Sequence, residues 1–352
     1  MKSAATPSVP LAFDELTARV RVDLGAILRP WLASRVELAR RIGPEIEELA
    51  NAVRELALRG GKRFRAILLT CAFDACGGEG GFESVGPAAM AMELLQTYLL
   101  IHDDWMDGDD VRRGGPSVPA VMRARFPEHG DEASVLAGDL AAAWARAALM
   151  ELRLEPSRVV AAARELARVE QAVVEGQWLD VRGLAQNLEA VEAGLVLKTS
   201  SYTTTGPVVI GALLAGADEG TVSALADFAD PLGIAFQLRD DLLDLFGDAA
   251  TMGKSGRRDL RKGKRTAVVL DAMRDAVAKE AIVRVLGRAD ASDLELAEVS
   301  RRIDESGARD RSETRIRGLV QLARAALDRA RLTPTGHALL VQGAIVLTER
   351  GH

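Results

Sequence analysis

The stretch "LLIHDDWMDGDDVRRGGPS", residues 99–117, sets five aspartates within eight residues directly behind an apolar run, and two arginines close behind them. Carboxylates this crowded repel one another, so something must compensate them. Asp103, Asp104 and Asp107 read D-D-x-x-D. On a helix, residues four apart share a face, so Asp103 and Asp107 point the same way with Asp104 beside them. That pattern makes a poor helix face but a good ligand set for a hard cation. A second copy follows in "FQLRDDLLDLFGD", where Asp240, Asp241 and Asp244 repeat it inside another apolar segment. Carboxylates embedded among Leu, Ile and Phe need a counter-ion or a metal.

The rest of the composition narrows the fold. Of 352 residues, 48% are hydrophobic and only 4% aromatic, and Ala, Leu, Arg, Glu and Val dominate, which favours helix. Helical periodicity predicts helices over 13–40, 85–108, 131–152, 156–180, 189–204, 207–216 and 219–247 among others, separated by breakers such as "GGEGG" at 77–81 and Gly206-Pro207. No alternating β-branched stretch reads as a strand. No composition shift or fixed-period repeat marks a boundary. The expectation is an all-α chain: a flexible N-terminal tail over 1–12, then one helical bundle domain over 13–352.

Several function classes are excluded by charge and residue type. A net charge of −6 does not suggest a nucleic-acid partner. The N-terminus lacks an apolar signal core, and the best apolar run, 87–101, is interrupted by Glu93 and Gln96, so no membrane insertion is expected. Cys71 and Cys76, the two cysteines, sit in an apolar segment and read as reduced thiols of a cytoplasmic protein. With His102, His129, His337 and His352 the only histidines and no Glu-x-x-His, an oxygen-only site for magnesium is favoured over zinc or di-iron. Magnesium keeps waters and bridges to phosphates, so the two clusters predict a phosphorylated ligand lying between two helices.

Phosphate also needs fixed cations, and these come in short bursts. "GGKRFR" supplies Lys62, Arg63 and Arg65; Arg112 and Arg113 follow the first acidic cluster; "GKSGRRDLRKGKRT" follows the second, with Lys254 and Lys264; Lys198 stands beside Thr199 in "LKTSSYTTTG". Arginine offers a planar fork to phosphate oxygens and lysine a compact charge. Each acidic helix is thus followed by a glycine-containing basic loop. "GDAATMGKS" mimics a nucleotide-binding P-loop, but the first glycine is one residue too early and the segment follows a helix, not a strand.

Taken together and in this order, the motifs resemble those of the trans-isoprenyl diphosphate synthases, or polyprenyl synthetases, over roughly 55–270. "GGKRFR" is similar to the family's G-G-K-R-x-R-P, with Ala66 in place of the proline. "ELLQTYLLIHDDWMDGDDVRRGGPS" resembles the first aspartate-rich motif, with Gln96 where many members carry histidine. Gly138-Asp139, Gly176-Gln177, Lys198-Thr199, "FQLRDD" and "GKSGRRDLRKGK" fall into the same order. The resemblance implies the all-α isoprenoid synthase fold, commonly a homodimer, with the active site inside the bundle. It also implies a head-to-tail condensation. An allylic diphosphate (dimethylallyl, geranyl or farnesyl) ionises, isopentenyl diphosphate attacks the cation, and a proton leaves to give an allylic product five carbons longer.

Roles carry over from the resemblance to matching residues. Asp103, Asp107 and Asp240 would coordinate several magnesium ions, supported by Asp104, Asp241 and Asp244. Arg112, Lys198, Lys254 and Lys264 would hold the allylic diphosphate, with Thr199 and Gln237 turning dipoles toward the cation. Lys62, Arg65, Gln96 and Arg113 would bind isopentenyl diphosphate. Leu99 and Tyr98, four and five residues before the first aspartate, and Leu95 a turn deeper would set chain length. One aromatic at the fifth position without a two-residue insertion resembles geranylgeranyl diphosphate synthases, with farnesyl diphosphate as the runner-up product. Two further readings stay open. A class I terpene cyclase shares the fold, but Leu243 stands where its second motif needs Ser or Thr. A non-catalytic subunit would have lost one acidic cluster or the basic residues.

Overall fold

A computed structural model describes residues 9–183, 187–247 and 256–349. In chain order it contains α1 (Val9–Arg40), α2 (Pro44–Leu58), α3 (Phe64–Ala75), α4 (Gly81–Asp107), a ribbon of β1 (Val111–Arg112) and β2 (Gly115–Pro116), and α5 (Val118–Arg125). Next come α6 (Gly130–Leu149), α7 (Pro156–Val181), α8 (Leu188–Leu195), a π-helix (Val196–Thr205), α9 (Gly206–Ala215) and α10 (Glu219–Phe246). The chain closes with α11 (Arg258–Arg261), α12 (Ala267–Ala272), α13 (Ala276–Val285), α14 (Asp293–Glu305), α15 (Ala308–Leu327) and α16 (Pro334–Thr348). The all-α expectation is met. Three local expectations are corrected: α1 starts at Val9 instead of residue 13, a two-stranded ribbon exists, and the separate helices expected over 189–204 and 207–216 are one unbroken helical run over 188–215 with a π-helix at its centre.

The described chain forms two compact units that interleave along the sequence, which is why no linker composition marks them. The first comprises Met1–Leu166, Pro207–Asp218 and Leu332–Leu340. Its centre is α4, which packs against α6 and α3. Ten of the twelve residues of α3 are buried, because its sequence, FRAILLTCAFDA, is apolar nearly all round. Between α4 and α6 the approach is set by Gly138, where a Cβ would lie 2.2 Å from the His102 ring. His102 fills that space, with Nε2 3.0 Å from the Val135 carbonyl and Tyr98 edge-on against it at 4.8 Å between centroids.

The second unit comprises Ala167–Gly206, Glu219–Arg331 and Val341–His352. Here α10 packs on the π-helix and on α15. Leu238, Leu242 and Leu245 of α10 share one apolar core with Leu260, Val268, Ile282, Leu296, Ile303 and Ile316. Residues 277–352, which carry no motif, therefore supply much of the surface that buries the apolar side of the second acidic helix, through Ile282, Leu296, Ile303 and Ile316. Arg239 fastens the same helix on another side, donating from Nε to the Thr348 carbonyl at 2.8 Å and from Nη2 to Glu313 at 2.8 Å.

Candidate active site

The first acidic cluster occupies the last turn of α4. Gly108 adopts φ +66° and ends the helix one residue after Asp107, so Asp103, Asp104 and Asp107 all lie at its negative end. Carboxylates there oppose the helix dipole, which leaves them in need of a cation. The structure supplies one from the next element. In the ribbon, Arg112 pairs with Gly115, and the turn residues Arg113 and Gly114 both take positive φ, +51° and +73°. Two left-handed central residues make a type I′ turn, one of the two turn types that match strand twist in a two-residue hairpin. Glycine adopts this freely and arginine seldom does, so Arg113 is held there by its surroundings.

The ribbon turns Arg112 back onto α4. Its Nε lies 2.7 Å from Asp104 Oδ1, Nη2 joins the same oxygen, and Asp103 and Asp109 lie 3.6 and 3.7 Å away. Burial pushes the Asp104 carboxyl above its ordinary range, against the pull of Arg112. Burial also opposes the charge on Arg112, but Asp104 and its acidic neighbours hold the guanidinium above its usual value. Arg113 faces the other way, onto the "GGKR" loop, where a Cβ on Gly61 would lie 3.3 Å from its guanidinium carbon. Burial and the nearby Arg63, Arg65 and Arg112 push its pKa down, with Glu93 acting in the opposite sense. Lys62 belongs to the same loop, and its carbonyl accepts from Arg21 at 3.1 Å. Gln96, Leu95, Tyr98 and Leu99 all stand on α4, with Leu95 fully buried and the other three half-buried.

The second unit gathers the other set. Here the π-helix carries Lys198 and Thr199. Its sequence, VLKTSSYTTT, is rich in hydroxyls, which bond back to carbonyls four residues earlier: Thr204 to Ser200 at 3.1 Å, and Ser201 to Leu197 at 2.5 Å. Two glycines make room for it. A Cβ on Gly176 of α7 would sit 2.4 Å from the Lys198 backbone nitrogen, and one on Gly233 of α10 would sit 2.3 Å from Ser200 Oγ. Lys198 Nζ binds the Asp180 carboxylate. Thr199 Oγ1 donates to Gln237 Oε1 at 3.4 Å, and Gln237 Nε2 donates to Asp241 Oδ1 at 2.9 Å, which fixes the orientation of the amide. Full burial pushes the Asp241 carboxyl up to about 8, partly offset by that bond. Asp244 is committed to the chain beyond it: its two oxygens accept the backbone N–H groups of Arg258 and Asp259 at 3.3 and 3.2 Å. Lys264 acts on Asp241 and Asp259 through its charge. Lys254 lies outside the described residues.

The donors fit a hard divalent cation. Asp104 Oδ2 is buried without a hydrogen-bond partner, the nearby histidine is occupied with Val135, and the carboxylates offer oxygen alone. Among the described residues no three potential ligands form a ready cage.

An all-helical isoprenoid synthase fold with a D-D-x-x-D helix in each unit defines a prenyl-transferring enzyme. The chain belongs to the polyprenyl synthetase family, whose model matches residues 46–303. It is 35% identical over 268 residues to a geranylgeranyl diphosphate synthase of Methanosarcina mazei, covering 75% of this chain and 78% of that one. It is 32% identical over 326 residues to a geranylfarnesyl diphosphate synthase of Natronomonas pharaonis, covering 87% and 91%. Among solved structures, the geranylgeranyl pyrophosphate synthase of Corynebacterium glutamicum, complexed with isoprenyl diphosphate and magnesium, aligns with TM-score 0.85 and 32% identity over 93% of this chain and 98% of that one. Among the described residues no helix is long and apolar enough to cross a membrane.

Two contributors were not assigned from sequence. Glu93 registers there only as an interruption of an apolar run, yet it is 1% exposed and bonded to Arg63. Gly233 carries no motif, and its role follows only from the width of the helix beside it.

Proposed function

We propose that the chain condenses isopentenyl diphosphate with allylic diphosphates and releases mainly geranylgeranyl diphosphate. The observation that carries this reading is that each D-D-x-x-D helix is tied to residues of the matching phosphate and cation set: Arg112 is bonded to Asp104 in the first unit, and Gln237 is held between Thr199 and Asp241 in the second. The product length is supported by relatives named for the twenty-carbon product. A twenty-five-carbon product is the second reading, favoured by the geranylfarnesyl synthases among the relatives.

Asp103, Asp107 and Asp240 would hold magnesium. A bound ion supplies Lewis-acid polarisation of the departing diphosphate. Arg112, whose Nε and Nη2 are on Asp104, would offer Nη1 to the allylic diphosphate. Lys198 exchanges Asp180 for the allylic diphosphate as substrate arrives. Fixed cations that need no reorganisation stabilise the charge left by ionisation. Gln237, oriented by Asp241, and Thr199 present their oxygen dipoles to the allylic cation. Lys62, Arg65, Gln96 and Arg113 hold isopentenyl diphosphate, and the released diphosphate takes the final proton. The enzyme acts in the cytoplasm as a homodimer, a setting that suits the free, buried thiol of Cys71.

Incubation with magnesium, isopentenyl diphosphate and each of dimethylallyl, geranyl and farnesyl diphosphate tests the reading, with product chromatography after dephosphorylation. A mainly twenty-carbon alcohol is expected. Cyclic hydrocarbons, or no elongation, would overturn it.

A further inference from the structure

The buried carboxylate of Glu93 has no part in the chemistry above, yet it is bonded to Arg63 and its charge acts on Arg113. It lies on α4, one helical turn before Gln96, and is 1% exposed. A lone carboxylate in that setting is costly unless it is paired. One oxygen, Oε2, takes Nη1 of Arg63. The other, Oε1, is buried without a hydrogen-bond partner.

Arg63 is held from both sides. Its Nη2 donates to the Ala57 carbonyl at 2.8 Å, and its backbone is left-handed at φ +55°, at the residue that opens α3. A non-glycine residue stays there only when its surroundings compel it. The same loop carries Lys62 on one side of Arg63, and α3 carries Arg65 two residues on. Arg113 closes over the loop at Gly61. Arg112, the other arginine of the ribbon, is already matched by Asp104. Arg63, Arg65 and Arg113 repel one another, and the charge that acts on Arg113 in the attractive sense is Glu93.

We propose that Glu93 is a positioning residue of the isopentenyl diphosphate pocket: through Arg63 it pins the Gly60–Arg63 loop, and its charge keeps the surrounding arginines converged before the diphosphate arrives. Glu93 touches no substrate. It acts on Lys62, Arg65 and Arg113 through the loop and through charge. The inference rests on the assignment of Lys62, Arg65 and Arg113 to isopentenyl diphosphate.

The test uses Glu93→Gln, which keeps shape and removes charge, and Arg63→Gln, which removes the other side of the same bond. KM for isopentenyl diphosphate should rise about tenfold or more in each, as for the loss of a charge-assisted hydrogen bond, while KM for farnesyl diphosphate stays within about twofold. Because the two variants break one interaction, the double variant should lose no more than the worse single one, within about twofold. Should Glu93→Gln fail to fold by circular dichroism, Arg63→Gln alone gives the same reading. Equal rises in both KM values, or a lowered Tm with both KM values unchanged, would show a purely structural ion pair and overturn the inference. So would a fall in KM for isopentenyl diphosphate, which would mean that Glu93 merely opposes the diphosphate. Arg113→Ala, run in parallel, separates the two levels. If it leaves KM for isopentenyl diphosphate unchanged, the pocket assignment itself fails; if it raises that KM while Glu93→Gln does not, only the role of Glu93 fails.

Discussion

Replacing Gly233 by alanine probes how tightly the π-helix is tied to function. The added Cβ would lie 2.3 Å from Ser200 Oγ, 2.4 Å from its Cβ and 2.5 Å from its Cα. Carbon atoms settle at about 3.5–4.0 Å, so the Ser200 backbone must retreat by about 1 Å. A rotamer change cannot absorb this, because the Cα itself is in the way. Overpacking of this kind costs about 1–3 kcal/mol. The larger consequence falls on Lys198 and Thr199, which sit on the same turn. A displacement of about 1 Å in a group that binds the reacting substrate costs about a hundredfold in rate. Gly233→Ala should therefore lower Tm by a few degrees and kcat/KM for the allylic substrate by about ten- to a hundredfold, assayed well below the new Tm with isopentenyl diphosphate saturating. Gly318→Ala is the control. A Cβ there meets nothing within 4 Å on α15, so it should stabilise by about 0.5–1 kcal/mol and leave activity unchanged. Wild-type kcat/KM and Tm in Gly233→Ala would refute the claim that this glycine shapes the site.

Two further predictions concern pH and chain length. Burial raises the Asp230 carboxyl, against a hydrogen bond from Thr205. A carboxyl whose folded pKa is raised binds more protons folded than unfolded, so its contribution is most favourable below the unfolded value of about 3.9 and is lost as pH rises through the folded value. Asp230→Asn should then gain stability relative to wild type between pH 4 and pH 8 in urea unfolding; parallel stability curves would contradict this. Tyr98 rests edge-on against His102. If it forms the floor, Tyr98→Ala lets the tail continue, gaining about 0.8 kcal/mol per buried methylene, and products should lengthen past twenty carbons. An unchanged product distribution would place the floor elsewhere.

The acidic clusters could be read from sequence because i, i+4 spacing is a helix property that survives any packing, and both lie on helices as expected. Arg112 was legible as a cation near them but not as the partner of Asp104, since that contact depends on the left-handed turn at Arg113 and Gly114. Asp244 matched the motif, yet its oxygens are taken by backbone groups fourteen and fifteen residues on, a contact invisible to local spacing. The π-helix was hidden because residues 196–205 fit an α-helical pattern equally well, and the glycines that leave room for it, 176 and 233, lie far away in sequence. Glu93 was hidden for the opposite reason: a lone acid in an apolar run reads as an interruption until its partner, thirty residues earlier, is seen.

The central claim is that both acidic helices serve one metal-dependent elongation. Steady-state turnover of Asp103→Asn and of Asp240→Asn, each with magnesium, isopentenyl diphosphate and farnesyl diphosphate and with the fold checked by circular dichroism, tests it most directly. Each substitution should lower turnover by about a hundredfold or more, the scale of losing a preorganised stabiliser of developing charge. Near-normal turnover in either folded variant would contradict it.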